Sequence, residues 1–171
     1  WLPLLAVLVS LIAVPLIALS GRSPNLREFW TLLSAVLKFG LVLGIGRMVR
    51  EGNIPQTTLW ELAPGLSLAF RADVLEFYFA LVASSLWILT SLYSIGYMRG
   101  HHEKNQTRFF GSFALSLSAT LGVAFSENLF TFIVFYELLT LATYPLVVHK
   151  GTMEAVRAGR KYLAYSLTAG L

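Results

Sequence analysis

Two charged residues, Glu137 and Lys38, stand inside stretches that are otherwise apolar. A charge at membrane depth is costly unless it faces protein or water, so each marks a place where chemistry is done or a helix is joined to another. Helical periodicity puts Thr140 and Tyr144 on the face of Glu137, at i+3 and i+7. Lys38 has Ser34 and Thr31 at i−4 and i−7, and Ser112, Ser116 and Thr120 recur at every fourth residue. Lys161, Tyr165 and Thr168 form one more stripe. A carboxylate in low dielectric holds its proton according to how near an ammonium lies and how much water reaches it. A Glu–Lys pair whose separation or hydration changes can therefore load and release a proton. The same stripes also serve as interhelical glue, and Gly40-xxx-Gly44 is a small-residue packing motif. For Lys38 three roles stay open: a proton carrier, a partner for a buried carboxylate, or a side chain facing a neighbouring subunit.

These residues need apolar cylinders to hold them. Of 171 residues 56% are apolar and 13% charged, with mean hydropathy +0.68, which is far from the balance of a soluble domain. About six spans fit a single helical membrane domain over 1–171: roughly 1–20, 29–46, 74–97, 109–126, 128–148 and 157–171, the last cut short. The first carries no charge and lacks the basic start and cleavage site of a signal peptide, so it reads as a true span bent at Pro15. The chain stops inside an apolar run at Leu171 and reads as part of a longer protein. The connection 47–73 alternates around Pro64–Gly65, predicting a small β-hairpin at the membrane surface. Ser126-Glu127-Asn128 predicts a tight turn with Ser126 or Asn128 capping the next helix.

Alternate loops hold nine Lys/Arg on one side (Arg22, Arg27, Arg99, Lys104, Arg108, Lys150, Arg157, Arg160, Lys161) against Arg47, Arg50 and Arg71 on the other. Basic excess marks the cytoplasmic face, so the N-terminus is expected outside, and the net charge of +4 is a topology signal rather than a nucleic-acid one. Asp73 and Glu76 suit a helix N-terminus, and His149-Lys150 suits a helix end. His101-His102-Glu103 lacks the further ligands of a closed metal site and reads as a solvated loop. Pro145, one turn beyond Glu137, removes a hydrogen bond to Leu141. With no cysteine, phosphate loop, Ser/His/Asp set or cofactor fingerprint, neither a metal nor a cofactor is expected in this chain.

The order Tyr93-Ser94-Ile95-Gly96-Tyr97-Met98, Arg108-Phe109-Phe110, Phe135-Tyr136-Glu137-Leu138 and Ala158-Gly159-Arg160-Lys161-Tyr162 resembles the proton-conducting antiporter-like subunits of respiratory complex I and of Mrp-type cation/proton antiporters. The resemblance covers residues 70–171, the first two spans matching by layout. Leu141-Ala142-Thr143-Tyr144-Pro145-Leu146 is more similar to the Mrp-type antiporters than to the complex I paralogues. The resemblance implies the N-terminal part of a fold of about fourteen helices, in a bacterial plasma membrane or a mitochondrial or plastid inner membrane. It also implies Glu137 as the gating glutamate, Lys161 as the lysine opening helix six, and a partner lysine in a seventh helix beyond Leu171. Lys38 matches no position of the family. Three functions follow as expectations. The first is proton or Na⁺/H⁺ translocation through Glu137, Lys161, Lys38, Thr140 and Tyr144 beside other membrane subunits. The second is a pump subunit of an NADH–quinone oxidoreductase, and the third a non-transporting scaffold.

Overall fold

A computed structural model describes residues 1–63 and 66–170. The described residues form six helices and one hairpin: α1 (Leu2–Leu19), α2 (Pro24–Arg50), β1 (Gln56–Ala63), β2 (Leu66–Arg71), α3 (Val74–Gly100), α4 (Gln106–Ala124), α5 (Leu129–Val147) and α6 (Met153–Gly170). Helix α4 packs between α1 and α5, α1 continues to α2 and α2 to α3, while α6 rests on α5. Among the described residues, α1, α2, α3 and α5 are long and apolar enough to cross a membrane. Helix α4 needs less grease because its neighbours shield it, and α6 carries Glu154, Arg157, Arg160 and Lys161 in its first turns.

The helices expose large apolar side chains outward and bury serines and threonines inward among apolar packing. On α3, Leu75, Phe79, Val82, Leu86 and Leu89 are exposed, whereas Ala80, Ser84, Trp87, Ser91 and Ser94 are buried. Ser118 of α4 donates to the Val7 carbonyl of α1 at 2.8 Å, the kind of bond that holds helices together where lipid offers no competing partner. The close approach expected at Gly40 and Gly44 occurs elsewhere. No atom comes near a Cβ built on Gly40, and Gly44 meets only the end of Leu2, while Gly46 and Gly122 lie against the rings of Phe77 and Phe135.

Helix α2 begins five residues before the expected 29, because Pro24 sits favourably in its first turn. Arg27 therefore does not lie in a loop. It is buried in α2, its guanidinium bonded to Gln106 and Thr107 at the start of α4. Arg99, also counted with the loops, sits in the last turn of α3. These two of the nine cations thus join helices at the end of the bundle.

The hairpin forms as expected, antiparallel, with Gln56 opposite Arg71 and Trp60 opposite Leu68; its expected turn at Pro64–Gly65 lies outside the described residues. Strand β2 docks onto the α4–α5 turn: Arg71 N–H donates to the Phe125 carbonyl, and Glu127 N–H to that of Ala69. Buried Phe70 meets Phe135 of α5 edge-on at 5.5 Å. Asn128 caps α5, accepting from the Thr131 N–H at 2.8 Å. Asp73 caps α3, its carboxylate accepting from the Leu75 N–H while Glu76 accepts from the Asp73 N–H.

Candidate functional site

Glu137 lies midway along α5, which runs through Pro145 as one helix. Residue 137 is half-buried, and both carboxylate oxygens are enclosed without a hydrogen-bond partner among the described residues. The wall facing it is α6. A Cβ on Gly170 would collide with Glu137 Oε1 and the Tyr136 ring, so the carboxylate lies close against the α6 backbone there.

The α5–α6 seam is antiparallel and closes at three levels. Gly159 accommodates Tyr144 and Val148; the Thr143 and Tyr162 hydroxyls meet at 2.6 Å; Gly170 receives Glu137. Thr140 is buried on the same helix, and Tyr144 is half-buried with its ring on Gly159. The expected stripe Glu137, Thr140, Tyr144 thus lies on one helix, with its two ends against α6. Thr143 and Tyr162 were not singled out from the sequence. Their signal was present, since Thr143 falls between Thr140 and Tyr144, but a hydroxyl pair across two helices has no local spacing.

Lys161 is not part of this contact. It is exposed, and nine residues of α6 separate it from Gly170, roughly 13 Å along the axis. Tyr165 is exposed as well, and Thr168 bonds back to the Ala164 carbonyl. Lys38 is also set apart from Glu137. It belongs to the α1–α4 interior, 1% exposed, with its ammonium 4.5 Å from the Trp87 ring centroid.

A polar cluster at one end of the bundle escaped the sequence reading. Arg99 grips Glu28 through Nε and Nη2, Arg27 Nη2 lies 3.8 Å from Glu28, and Gln106 accepts from Arg27 at 2.6 Å. The residues come from three helices, and Arg27 and Arg99 taken alone look like loop charges. His101 and His102 close α3; His101 stacks on Tyr97 at 4.2 Å. No group of three metal-ligating side chains occurs among the described residues.

A family described as "NADH-Ubiquinone oxidoreductase (complex I), chain 5 N-terminus" matches residues 63–110. The chain is 30% identical over 144 residues to the chloroplastic NAD(P)H-quinone oxidoreductase subunit 5 of Glycine max, covering 80% of this chain and 19% of that protein. It is 28% identical over 126 residues to hydrogenase-4 component B of Escherichia coli (strain K12), covering 72% and 19%. Its fold matches a chain of the membrane-bound sulfane sulfur reductase, an archaeal respiratory membrane complex, with a TM-score of 0.82 at 18% identity, over 95% of this chain and 33% of that one. It also matches a chain of the Mrp complex from Dietzia sp. DQ12-45-1b, with a TM-score of 0.78 at 22% identity, over 99% and 32%. The chain therefore spans about a fifth of the length of the curated relatives it matches.

Proposed function

We propose that this chain, a relative of the antiporter-like membrane subunits of complex I-type and Mrp-type assemblies, takes part in moving protons, or in exchanging Na⁺ for them, across an energy-coupling membrane. The observation that carries the reading is Glu137: an acid at mid-helix, its oxygens enclosed and unpartnered, held against the bare backbone of a neighbouring helix. A carboxyl so placed either stays neutral or borrows a counter-charge and water, and alternating between those conditions is what proton relay requires.

In this mechanism Glu137 takes a proton on a carboxylate oxygen and releases it when a basic group or water approaches. Thr140 and Tyr144 organise water along the α5 face. Lys161, near the start of α6, tunes charge at one end of the path or hands on the proton. The rest of the relay, including the basic partner, is supplied by other helices or by other subunits of a membrane complex. The host membrane is a bacterial plasma membrane or a mitochondrial or plastid inner membrane.

The test is proton or cation/proton flux in everted vesicles carrying the assembled complex. Glu137→Gln, with assembly intact, is expected to lower flux by roughly a hundredfold, the scale of losing one positioned proton-transfer group. Glu137→Asp should retain part of it. Unchanged flux in Glu137→Gln would remove this residue from the path and leave a scaffold role, in which Glu137→Ala harms assembly instead.

A second reading, a pump subunit in a quinone-reducing complex, is favoured by the matches to quinone oxidoreductase subunit 5 over 80% of the chain. Co-purification separates the two. Quinone-reductase and Fe–S subunits would support this second reading, and cation-antiporter subunits the first.

A further inference from the structure

The α1–α4 interior holds a buried charge, Lys38, that the α5–α6 seam does not use. Lys38 Nζ faces the Trp87 ring at 4.5 Å and has no hydrogen-bond partner among the described residues. Three more enclosed polar atoms lack partners there: Ser10 Oγ on α1, and Trp87 Nε1 and Ser91 Oγ on α3. Among the buried serines of this bundle, Ser34 donates to the Thr31 carbonyl, Ser84 to Leu81 and Ser116 to Ser112 on their own helices, and Ser118 donates to Val7 on α1. Ser10 and Ser91 do neither.

All four residues lie in the middle third of their helices. Ser10 is the ninth of 18 residues in α1, Lys38 the fifteenth of 27 in α2, and Trp87 the fourteenth of 27 in α3, with Ser91 one turn on. Ala13, Ala35 and Trp87 share one buried cluster with Ala114 of α4, which brings the four helices together at this depth.

Among the described residues no charged side chain pairs with Lys38. Helix α1 has none. The charges of α3 are Glu76 and Arg99 near its ends, and that of α4 is Arg108 in its first turn. On α2 itself Arg27 and Glu28 lie at one end and Arg47 and Arg50 at the other; Glu28 is held by Arg99. An ammonium has three donors, and an aromatic face satisfies one side of it. Buried polar groups without protein partners are where internal water binds, given two to four partners.

We propose that Lys38 is a proton-binding site inside an internal water pocket framed by Ser10, Trp87 and Ser91, separate from the Glu137 seam. An N–H proton of the ammonium passes to a water oxygen, leaving the nitrogen lone pair; the reverse step reloads it. Trp87 reports the change because its ring loses or regains the neighbouring cation.

The experiment does not depend on transport. Full-length protein carrying Trp1→Phe, Trp30→Phe and Trp60→Phe keeps Trp87 as the fluorophore and is reconstituted into lipid nanodiscs. Its emission is expected to show one reversible step on pH titration. Lys38→Met should abolish the step, and Lys38→Arg should abolish it while keeping the cation, since a guanidinium stays charged. Ser10→Val with Ser91→Ala, which removes the water's partners, should displace or erase it. A flat titration in the parent overturns the proposal, as does the same step persisting in Lys38→Met. If the methionine variant does not fold, persistence in Lys38→Arg overturns it equally.

Discussion

Arg99 clasps Glu28 through two hydrogen bonds, Nε to Oε1 at 2.8 Å and Nη2 to Oε2 at 2.6 Å, tying the end of α3 to the start of α2. Glu28 and Arg27 are both buried, and Arg27 in turn reaches Gln106 and Thr107 of α4. Removing the carboxylate strands Arg27 beside Arg99 with no negative charge between them. Breaking a buried pair from one side costs more than losing the pair outright. Glu28→Ala should therefore lower the thermal unfolding midpoint in detergent by several degrees. Glu28→Gln should cost less, because its amide oxygen still accepts one bond. An unchanged midpoint in Glu28→Ala would mean the cluster is not holding these helices.

The α5–α6 register can be read by cross-linking, since the chain has no cysteine to confuse the result. A Cβ built on Gly159 would overlap the Val148 side chain and press on the Tyr144 ring, so the two helices approach closely there. The pair Val148→Cys with Gly159→Cys falls within disulfide reach, for which Cβ atoms about 4 Å apart are wanted. It should oxidise readily in membranes. Val148→Cys with Lys161→Cys should not, because Lys161 is exposed and absent from the α5 contact. Equal yields would show that α6 is free to rotate, and would return Lys161 to the seam.

Much of this architecture was legible in the chain. Apolar runs set six helices, Asn128 stood beside Ser126 as a candidate cap, Asp73 beside Glu76 as an acid suited to a helix start, and alternation found the hairpin. Local pattern could not say which face meets which partner. Arg27 and Arg99 look like loop cations until α2 is seen to start at Pro24 and α3 to run to Gly100. Gly40-xxx-Gly44 has the right spacing, but helix contacts depend on the facing ring, and the rings stand opposite Gly46 and Gly122. Glu137 was visible as an acid in an apolar run; that Gly170 makes room for it was not.

The Asp73 cap carries a pH signature. Hydrogen bonding with the Glu76 carboxyl and with the Leu75 N–H holds the Asp73 carboxyl below the usual carboxylate range, and Arg71 at 3.8 Å adds to this. A carboxyl depressed in the folded state contributes stability that is present above its unfolded value, about 3.9, and is lost as pH falls through the folded value. Asp73→Ala should cost about 1 kcal/mol at neutral pH, the usual worth of an N-cap. The difference from wild type should shrink as the sample is acidified below pH 4. Denaturant titrations at pH 7 and at the lowest pH that keeps the protein soluble would check both the size and the sign.

Thr131 holds the hairpin to α5 with both of its hydrogen-bonding capacities. Its hydroxyl accepts from the Ala69 N–H at 3.0 Å and donates to the Ser67 carbonyl at 3.2 Å, next to Asn128, which donates to that same carbonyl at 2.8 Å. Thr131→Val keeps the shape and removes the hydroxyl, so the Ala69 N–H becomes a buried donor without an acceptor. That costs roughly 1–3 kcal/mol locally. Because β2 is one strand of a two-stranded ribbon, the loss falls on the hairpin rather than on the helices. Amide exchange at Ala69 and its neighbours in β2 should accelerate by about tenfold or more, as 1.4 kcal/mol of opening energy dictates for a locally unfolding segment. Exchange in α1 and α4 should stay as it was. Uniform acceleration across the helices would mean that the hairpin and the bundle open together, and that this clamp sets the stability of both.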